Sequence, residues 1–125
     1  MTSGTRDPAI RVILMPKDTN AYGTIFGGVI LSYIDQAGAV EAKKHRTEFL
    51  VTVAMREIVF HEPVYVGDLV SFYTHLVKIG NTSITVRVEV DANRGNDPGV
   101  EVKVTEAEVT YVNLGQDRKP KTIPR

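Results

Sequence analysis

The chain contains no cysteine, which removes disulfides, thiolate nucleophiles and cysteine-held metals from consideration together. It also lacks an excess of either charge: fifteen basic residues balance fifteen acidic ones. A nucleic-acid binder normally carries a basic surplus or stripe, so that class has no support, and no nucleic-acid partner is expected. Long apolar runs are missing as well. None approaches the length of a membrane span, and the opening residues "MTSGTRDPAIRV" lack the apolar centre of a signal peptide. No membrane association is expected, and the expected address is the cytoplasm. The three histidines, His45, His61 and His75, fall in no HxH or HxxxH spacing, so no metal site is expected. No nucleophile elbow is present, which argues against a serine triad.

What remains is the composition of one soluble domain. The 125 residues are 42% apolar and 24% charged, enough to build a core and too few for two ordinary domains. There is no internal repeat and no low-complexity segment. "MTSGTRDP" (1–8) reads as a loose arm and "GQDRKPKTIPR" (115–125) as a basic, proline-punctuated tail.

Between them the order reads β–α–β–β–β–β. Strands are predicted over 9–15, 50–60, 69–79, 82–90 and 100–114, from β-branched content and alternation. A loop rich in Pro, Asp, Thr, Asn and Gly covers 16–26, and "GN" at 80–81 is a hairpin signal. "ANRGNDPG" (92–99), with Asn93 to Asn96 inside it, reads as a further turn. In the last strand the apolar residues fall on even positions through Val104 and on odd ones from Ala107. A period-two pattern changes phase when a residue is added to the pairing, so a β-bulge is predicted near Thr105–Glu106.

The single helix is predicted from Gly27 to about His45, ending in Lys43, Lys44, His45 and Arg46, cations that suit a helix C-terminus. On a helical wheel Ser32 and Gln36 lie within about 80° of Gly28, and Asp35 about 20° to its other side. The rest of the circumference is mostly apolar. Such a helix is expected to be wrapped by long antiparallel strands, with Tyr33 and Phe26 packing in the core.

Asp35 then needs explaining, because a carboxylate in an apolar helix must be paired, exposed by a cleft or put to chemical use. Its helical neighbours Gly28, Ser32, Gly38, Ala39 and Ala42 are small and leave room for a close approach. Gly27 and Gly28 open the helix, where unpaired N–H groups suit an oxygen that becomes an anion. Together these features point to carbonyl chemistry, with amide donors for the oxyanion and a carboxylate to attack or to activate water. Gly28 and Asp35 are about 10 Å apart along the axis. One helix therefore cannot bring both to one carbon, and a site shared across a two-fold dimer is expected.

The segments "PKDTNAYGTIFGGVILSYIDQAGAV", "VTVAMREIVFHEPVYVGD", "GNTSITV" and "VTEAEVTYV" resemble, in this order, the hotdog-fold acyl-CoA thioesterases. The similarity is strongest to small bacterial acyl-CoA hydrolases and the related two-domain brain-type enzymes, and it runs from about residue 10 to residue 120. The resemblance implies an α+β hotdog fold, a curved antiparallel sheet around one long central helix, in a homodimer that assembles further as a trimer of dimers. It implies cleavage of acyl-CoA to fatty acid and free CoA without metal or organic cofactor. By the same resemblance Asp35 is the catalytic carboxylate, Asn20 helps to place water or carbonyl from the partner subunit, and Gly28 supplies the polarising amide, with Gly27 beside it. Gly80, Thr82 and Ser83 fall on a turn that contacts CoA, whose phosphates Arg56, Lys103, Arg118 or Lys119 would meet. Two other readings stay open on the residues alone. One is a non-catalytic acyl-CoA sensor, the other a hotdog hydratase or dehydratase pairing Asp35 with a histidine.

Overall fold

The strand nearest the middle of the molecule shows why the sheet forms. Ile84, Val86, Val88, Val90 and Ala92 all lie on one side of it and are fully buried, while Arg87, Glu89 and Asp91 on the other side stay partly exposed. In the computed structural model, which describes residues 6–97 and 99–125, this alternation belongs to β4 (Ser83–Asn93). Around it stand β1 (Ile10–Ile13), β2 (Phe49–Arg56), β3 (Leu69–Ile79) and β5 (Glu101–Leu114). They form one antiparallel sheet in the order β1-β3-β4-β5-β2. The helix α1 spans Gly27–Ala42 and is continued by a 3-10 turn at Lys43–His45. Arg46 closes it in the left-handed conformation, φ 61°. Most of the loose arm expected over 1–8 lies outside the described residues.

The sheet curls around α1 in the hotdog arrangement. Each of the three most extensive pairings carries a bulge, at Val53 in β2, Val77 in β3 and Val104 in β5, where the register skips one residue. The phase change in the last strand is thus real and falls at Val104, one residue before the expected position. There Val104 and Thr105 are both fully buried before the odd-numbered residues take over the inner face. Bulges bend long strands and increase their twist, which lets a five-stranded sheet close on one helix.

Burial of the helix is one-sided in the single chain. Ile30, Ile34, Ala37, Gly38, Glu41 and Ala42 are buried, whereas Gly28, Ser32, Gln36 and Val40 are exposed. The expectation of a helix wrapped around most of its surface is not met by one copy. Phe26 also departs from expectation: it is 58% exposed rather than in the core, and its ring lies over Gly28. Tyr33 does pack inward, half-buried against Phe72, with ring centroids 5.6 Å apart. Glu41 is the charged residue on the buried side of α1. Burial pushes its carboxyl upward, but hydrogen bonds from His45, Thr74 and Lys44 outweigh it and hold the group below its ordinary value.

β2 stops at Arg56, short of the predicted Phe60, because Glu57 turns into the left-handed region (φ 61°). The connection that follows drops out of the ladder but stays bonded to β5, with His61 N–H donating to Val104 O at 2.8 Å and Thr105 Oγ1 to Val59 O at 2.7 Å, and it carries Phe60 to Val64 towards the start of α1. The C-terminal segment differs from the expected tail. Lys121 N–H donates to Asn113 O and Ile123 N–H to Asn81 O, and Ile123 is buried to 1% exposure. An apolar anchor and two backbone bonds fold the segment back onto the β3–β4 turn.

Candidate active site

Asp35 lies in the third turn of α1, half-buried, and faces β2 at the edge of the sheet. Thr52 Oγ1 donates to its Oδ1 at 2.6 Å. The neighbouring strand holds the same residue by its backbone: Tyr111 OH donates to the Asp35 carbonyl at 2.6 Å. Thr52 and Tyr111 are direct partners across β2 and β5, so one cross-strand pair holds both the side chain and the peptide of Asp35. Burial raises the Tyr111 hydroxyl well above its ordinary value, and the negative Asp35 nearby adds to this, so the hydroxyl remains a donor. Gly38 makes the approach possible. A Cβ there would lie 2.3 Å from Tyr111 OH. The small-residue face of the helix is thus occupied in part by an aromatic ring from β5.

Sequence reasoning missed both hydroxyls. Threonine within "VTVAM" is an ordinary strand residue, and nothing short of the β2–β5 register marks it. Tyr111 is visible only as one inward-facing apolar position among several.

The start of α1 is built to leave donors free. Phe26 occupies the N-cap and supplies no side-chain bond, and no acidic residue stands in the first turn. Val29 N–H turns back to Phe26 O at 3.0 Å. The Gly27 and Gly28 N–H groups have no acceptor among the described residues. A free helix N-terminus carries about half a positive charge directed outward. Gly28 is exposed, and a Cβ on it would come within 2.8 Å of the Phe26 ring. Asp35 sits two helical turns further along, so the structure does not bring it to Gly28 within one chain.

Asn20 is committed to its own loop. Its Oδ1 accepts from the Tyr22 N–H (2.8 Å) and the Thr24 N–H (3.2 Å), and its Nδ2 donates to Thr24 Oγ1 at 2.7 Å. This is an Asx turn, with Gly23 at φ 86° completing the reversal. No hydrogen bond joins Asn20 to Asp35 among the described residues, and one amide proton of Nδ2 stays available. Beside the helix start lies a groove of about 310 Å³, lined by Thr24, Ile25, Gly27, Phe60, His61, Glu62, Pro63 and Val64. Its walls are mainly apolar.

The Gly80–Ser83 turn is tightly built. Gly80 N–H donates to Ser83 O at 2.8 Å, Thr82 O accepts from Asn113 N–H at 2.8 Å, and the Arg125 guanidinium donates to the Ile79 and Gly80 carbonyls. Beside it is a smaller cleft of about 200 Å³ with Lys44, His45, Arg46 and Arg125 on its walls. Of the cations considered from the sequence, Lys103 pairs with Glu106 at 3.2 Å and Arg118 stands 5.9 Å from the Phe49 ring. None of the three histidines bonds to Asp35: His45 is engaged by Glu41 at 3.2 Å. The pairing that a hydratase or dehydratase needs is therefore not formed among the described residues.

Residues 22–98 match the family model described as the Thioesterase superfamily. The chain belongs to the Thioesterase superfamily. Among sequence relatives of this thioesterase chain, the acyl-CoA thioester hydrolase YciA of Salmonella typhimurium is 42% identical over 117 residues, covering 92% of this chain and 88% of that one. Among solved structures, a hexameric hotdog fold thioesterase of Campylobacter jejuni superposes with a TM-score of 0.88 at 47% identity, over 94% of this chain and 90% of that one. HI0827, a hexameric broad specificity acyl-coenzyme A thioesterase, gives a TM-score of 0.88 at 39% identity, over 94% and 81%. The span matched to the superfamily holds Asp35, Thr52, both glycines of the helix start and the Gly80–Ser83 turn.

Proposed function

We propose that this member of the thioesterase superfamily hydrolyses acyl-CoA to free fatty acid and CoA, at a site shared by two copies of the chain. The observation that carries the shared site is the position of the Thr52–Asp35 pair on an uncovered edge. β2 ends the sheet, and Phe49, Val51 and Val53 on it are 46, 42 and 55% exposed. An apolar edge strand is a template for pairing with another chain. Joining β2 to its two-fold mate continues the sheet and sets the two helices side by side, so that Asp35 of one subunit faces the helix start of the other. The exposed side of α1 is covered in the same step. Further assembly as a trimer of dimers, a hexamer like the Campylobacter jejuni neighbour, belongs to the same reading, as does action in the cytoplasm on fatty acid metabolism.

In this arrangement Thr52 holds one carboxylate oxygen and leaves the other for chemistry. The Gly28 N–H, with Gly27 beside it, polarises the thioester carbonyl, and Asn20 of that same subunit uses its remaining amide proton to place water or carbonyl. Water attacks the carbonyl carbon while Asp35 takes its proton. The oxyanion collapses, the C–S bond breaks, and the thiolate leaves as CoA and recovers a proton. A direct attack by Asp35 gives the same products through an anhydride that water then opens. The Gly80, Thr82 and Ser83 turn and the basic groups near it receive CoA.

The test is thiol release from acyl-CoAs of increasing chain length, by wild type and Asp35→Asn at equal folded concentration. Turnover by the wild type, with a loss of about a thousandfold or more in the variant and no change in assembly, is expected for removal of the attacking or proton-accepting group. Binding of acyl-CoA by the wild type without any thiol release would instead make the protein a non-catalytic sensor.

A further inference from the structure

The groove beside the helix start has a wall with no regular secondary structure, the connection between β2 and β3; β5 holds it at Val59 and His61, and the contacts of Glu62, Pro63 and Tyr65 converge on one buried ion pair. Asp68 is 2% exposed. Its Oδ2 accepts from Tyr65 N–H at 2.9 Å and from Arg94 Nη1 at 2.7 Å, and its Oδ1 accepts from Gly95 N–H at 2.9 Å. Arg94 Nη1 also donates to Pro63 O at 2.9 Å, its guanidinium lies 4.7 Å from the Tyr65 ring centroid, and its Nη2 stands 3.7 Å from Glu62. Glu62, Pro63 and Val64 are three of the groove-lining residues. Val64 O in turn accepts from Ile25 N–H at 2.8 Å, two residues before the helix begins. A run of contacts therefore leads from the β4–β5 turn, through Arg94, to the groove wall and the approach to Gly27. The two turns meet without spare room, since a Cβ on Gly95 would stand 2.5 Å from Gly67 O.

We infer that Arg94 is a positioning residue for the thioesterase reaction: it fixes the groove wall at Glu62–Val64 and thereby sets which acyl chains fit beside the polarised carbonyl. This rests on the proposed thioesterase reading: a carbonyl polarised by the Gly28 N–H lies beside the mainly apolar groove that Gly27 lines, and the groove is the space next to it for the acyl chain. Arg94 touches neither the reacting carbonyl nor Asp35, so its effect belongs to binding and to chain selection rather than to the chemical step. A guanidinium spreads its donors over a rigid plane, which reaches a carbonyl oxygen and a carboxylate while its face lies near an aromatic ring; a compact ammonium has no such plane. Lysine at this position should therefore not restore the wall.

The experiment compares wild type, Arg94→Lys and Arg94→Gln over a panel of acyl-CoAs, with assembly checked and rates expressed per folded site. Both variants should raise KM by roughly tenfold and flatten the chain-length preference, with kcat within about threefold, the pattern of lost substrate fit rather than lost transition-state contact. Hydrogen exchange is measured on the same proteins. The Tyr65 and Gly95 amides should exchange faster in the variants while the β4–β5 ladder keeps its protection. Folded variants with the wild-type KM profile would overturn the inference, as would faster exchange throughout the sheet, which would make Arg94 a general stabiliser. If the wild type releases no thiol, the thioesterase reading fails by itself, and unchanged Tyr65 exchange in the variants would then separately refute the claim that Arg94 holds the wall.

Discussion

Thr52 shows what a single hydroxyl can do at this site. Its bond to Asp35 Oδ1 at 2.6 Å restrains the rotation of the carboxylate and engages one of its two oxygens. Thr52→Val keeps the branched shape that suits a strand and deletes only the donor. Because Thr52 is exposed in the single chain, its loss should cost about 1 kcal/mol of stability or less. Steady-state kinetics of acyl-CoA hydrolysis should show kcat reduced by about tenfold to a hundredfold with KM little changed, as expected when a positioned group loses its orientation. Thr52→Ser should recover most of the rate. A Thr52→Val enzyme with wild-type kcat would remove Thr52 from the site.

At the scale of elements, the closest approach of β5 to α1 is the one between Gly38 and Tyr111. Alanine is the better helix former by about 1 kcal/mol, so Gly38→Ala in a free helix would be stabilising. Here its methyl would be 2.3 Å from Tyr111 OH, and the strand or the helix must shift. Gly38→Ala should therefore destabilise the fold by about 1–3 kcal/mol, and Tyr111→Phe alone by about 1 kcal/mol. Urea denaturation of the pair should show them strongly non-additive, with Tyr111→Phe recovering part of the Gly38→Ala loss. Strict additivity would mean that the two residues do not meet as described. The same contact marks how far the sequence could be read. Alternation in "TSITVRVEV", the hairpin signal at 80–81 and the phase change in the last strand all report local periodicity, and each found its element, the bulge to within one residue. Gly38 was legible as a small residue that something approaches. Tyr111 as that approaching group was not, because cross-strand register depends on three bulges that no periodicity predicts together. The docking of the C-terminal segment is not legible, for a related reason. Proline, lysine and arginine make up six of its eleven residues, and the buried Ile123 that anchors it carries no local signal.

The whole molecule poses the question that one chain leaves incomplete. Asp35 and Gly28 stand two turns apart on the same helix, Asn20 is bound up in its own loop, and the exposed side of α1 lies next to an apolar edge strand. The one-sided burial of the helix has the same origin as the expectation that it would be wrapped all round: the helix is apolar over most of its circumference, a single copy covers only part of it, and the proposed dimer covers the rest. If the site takes Asp35 from one subunit and Asn20 with Gly28 from the other, two inactive variants should complement each other. Asn20→Asp keeps the acceptor that closes the Asx turn and removes the amide donor, whereas Asp35→Asn removes the carboxylate. In a mixed dimer one site carries both changes and the other carries neither. Random pairing makes half the dimers mixed, each with one native site, so co-expression in equal amounts should restore about a quarter of wild-type activity per chain. The measurement is thiol release from the co-expressed pair against each variant alone. Activity that stays at the level of the separate variants, with mixed dimers demonstrated by differential tags, would place Asn20 and Asp35 in the same subunit's site and refute the shared arrangement.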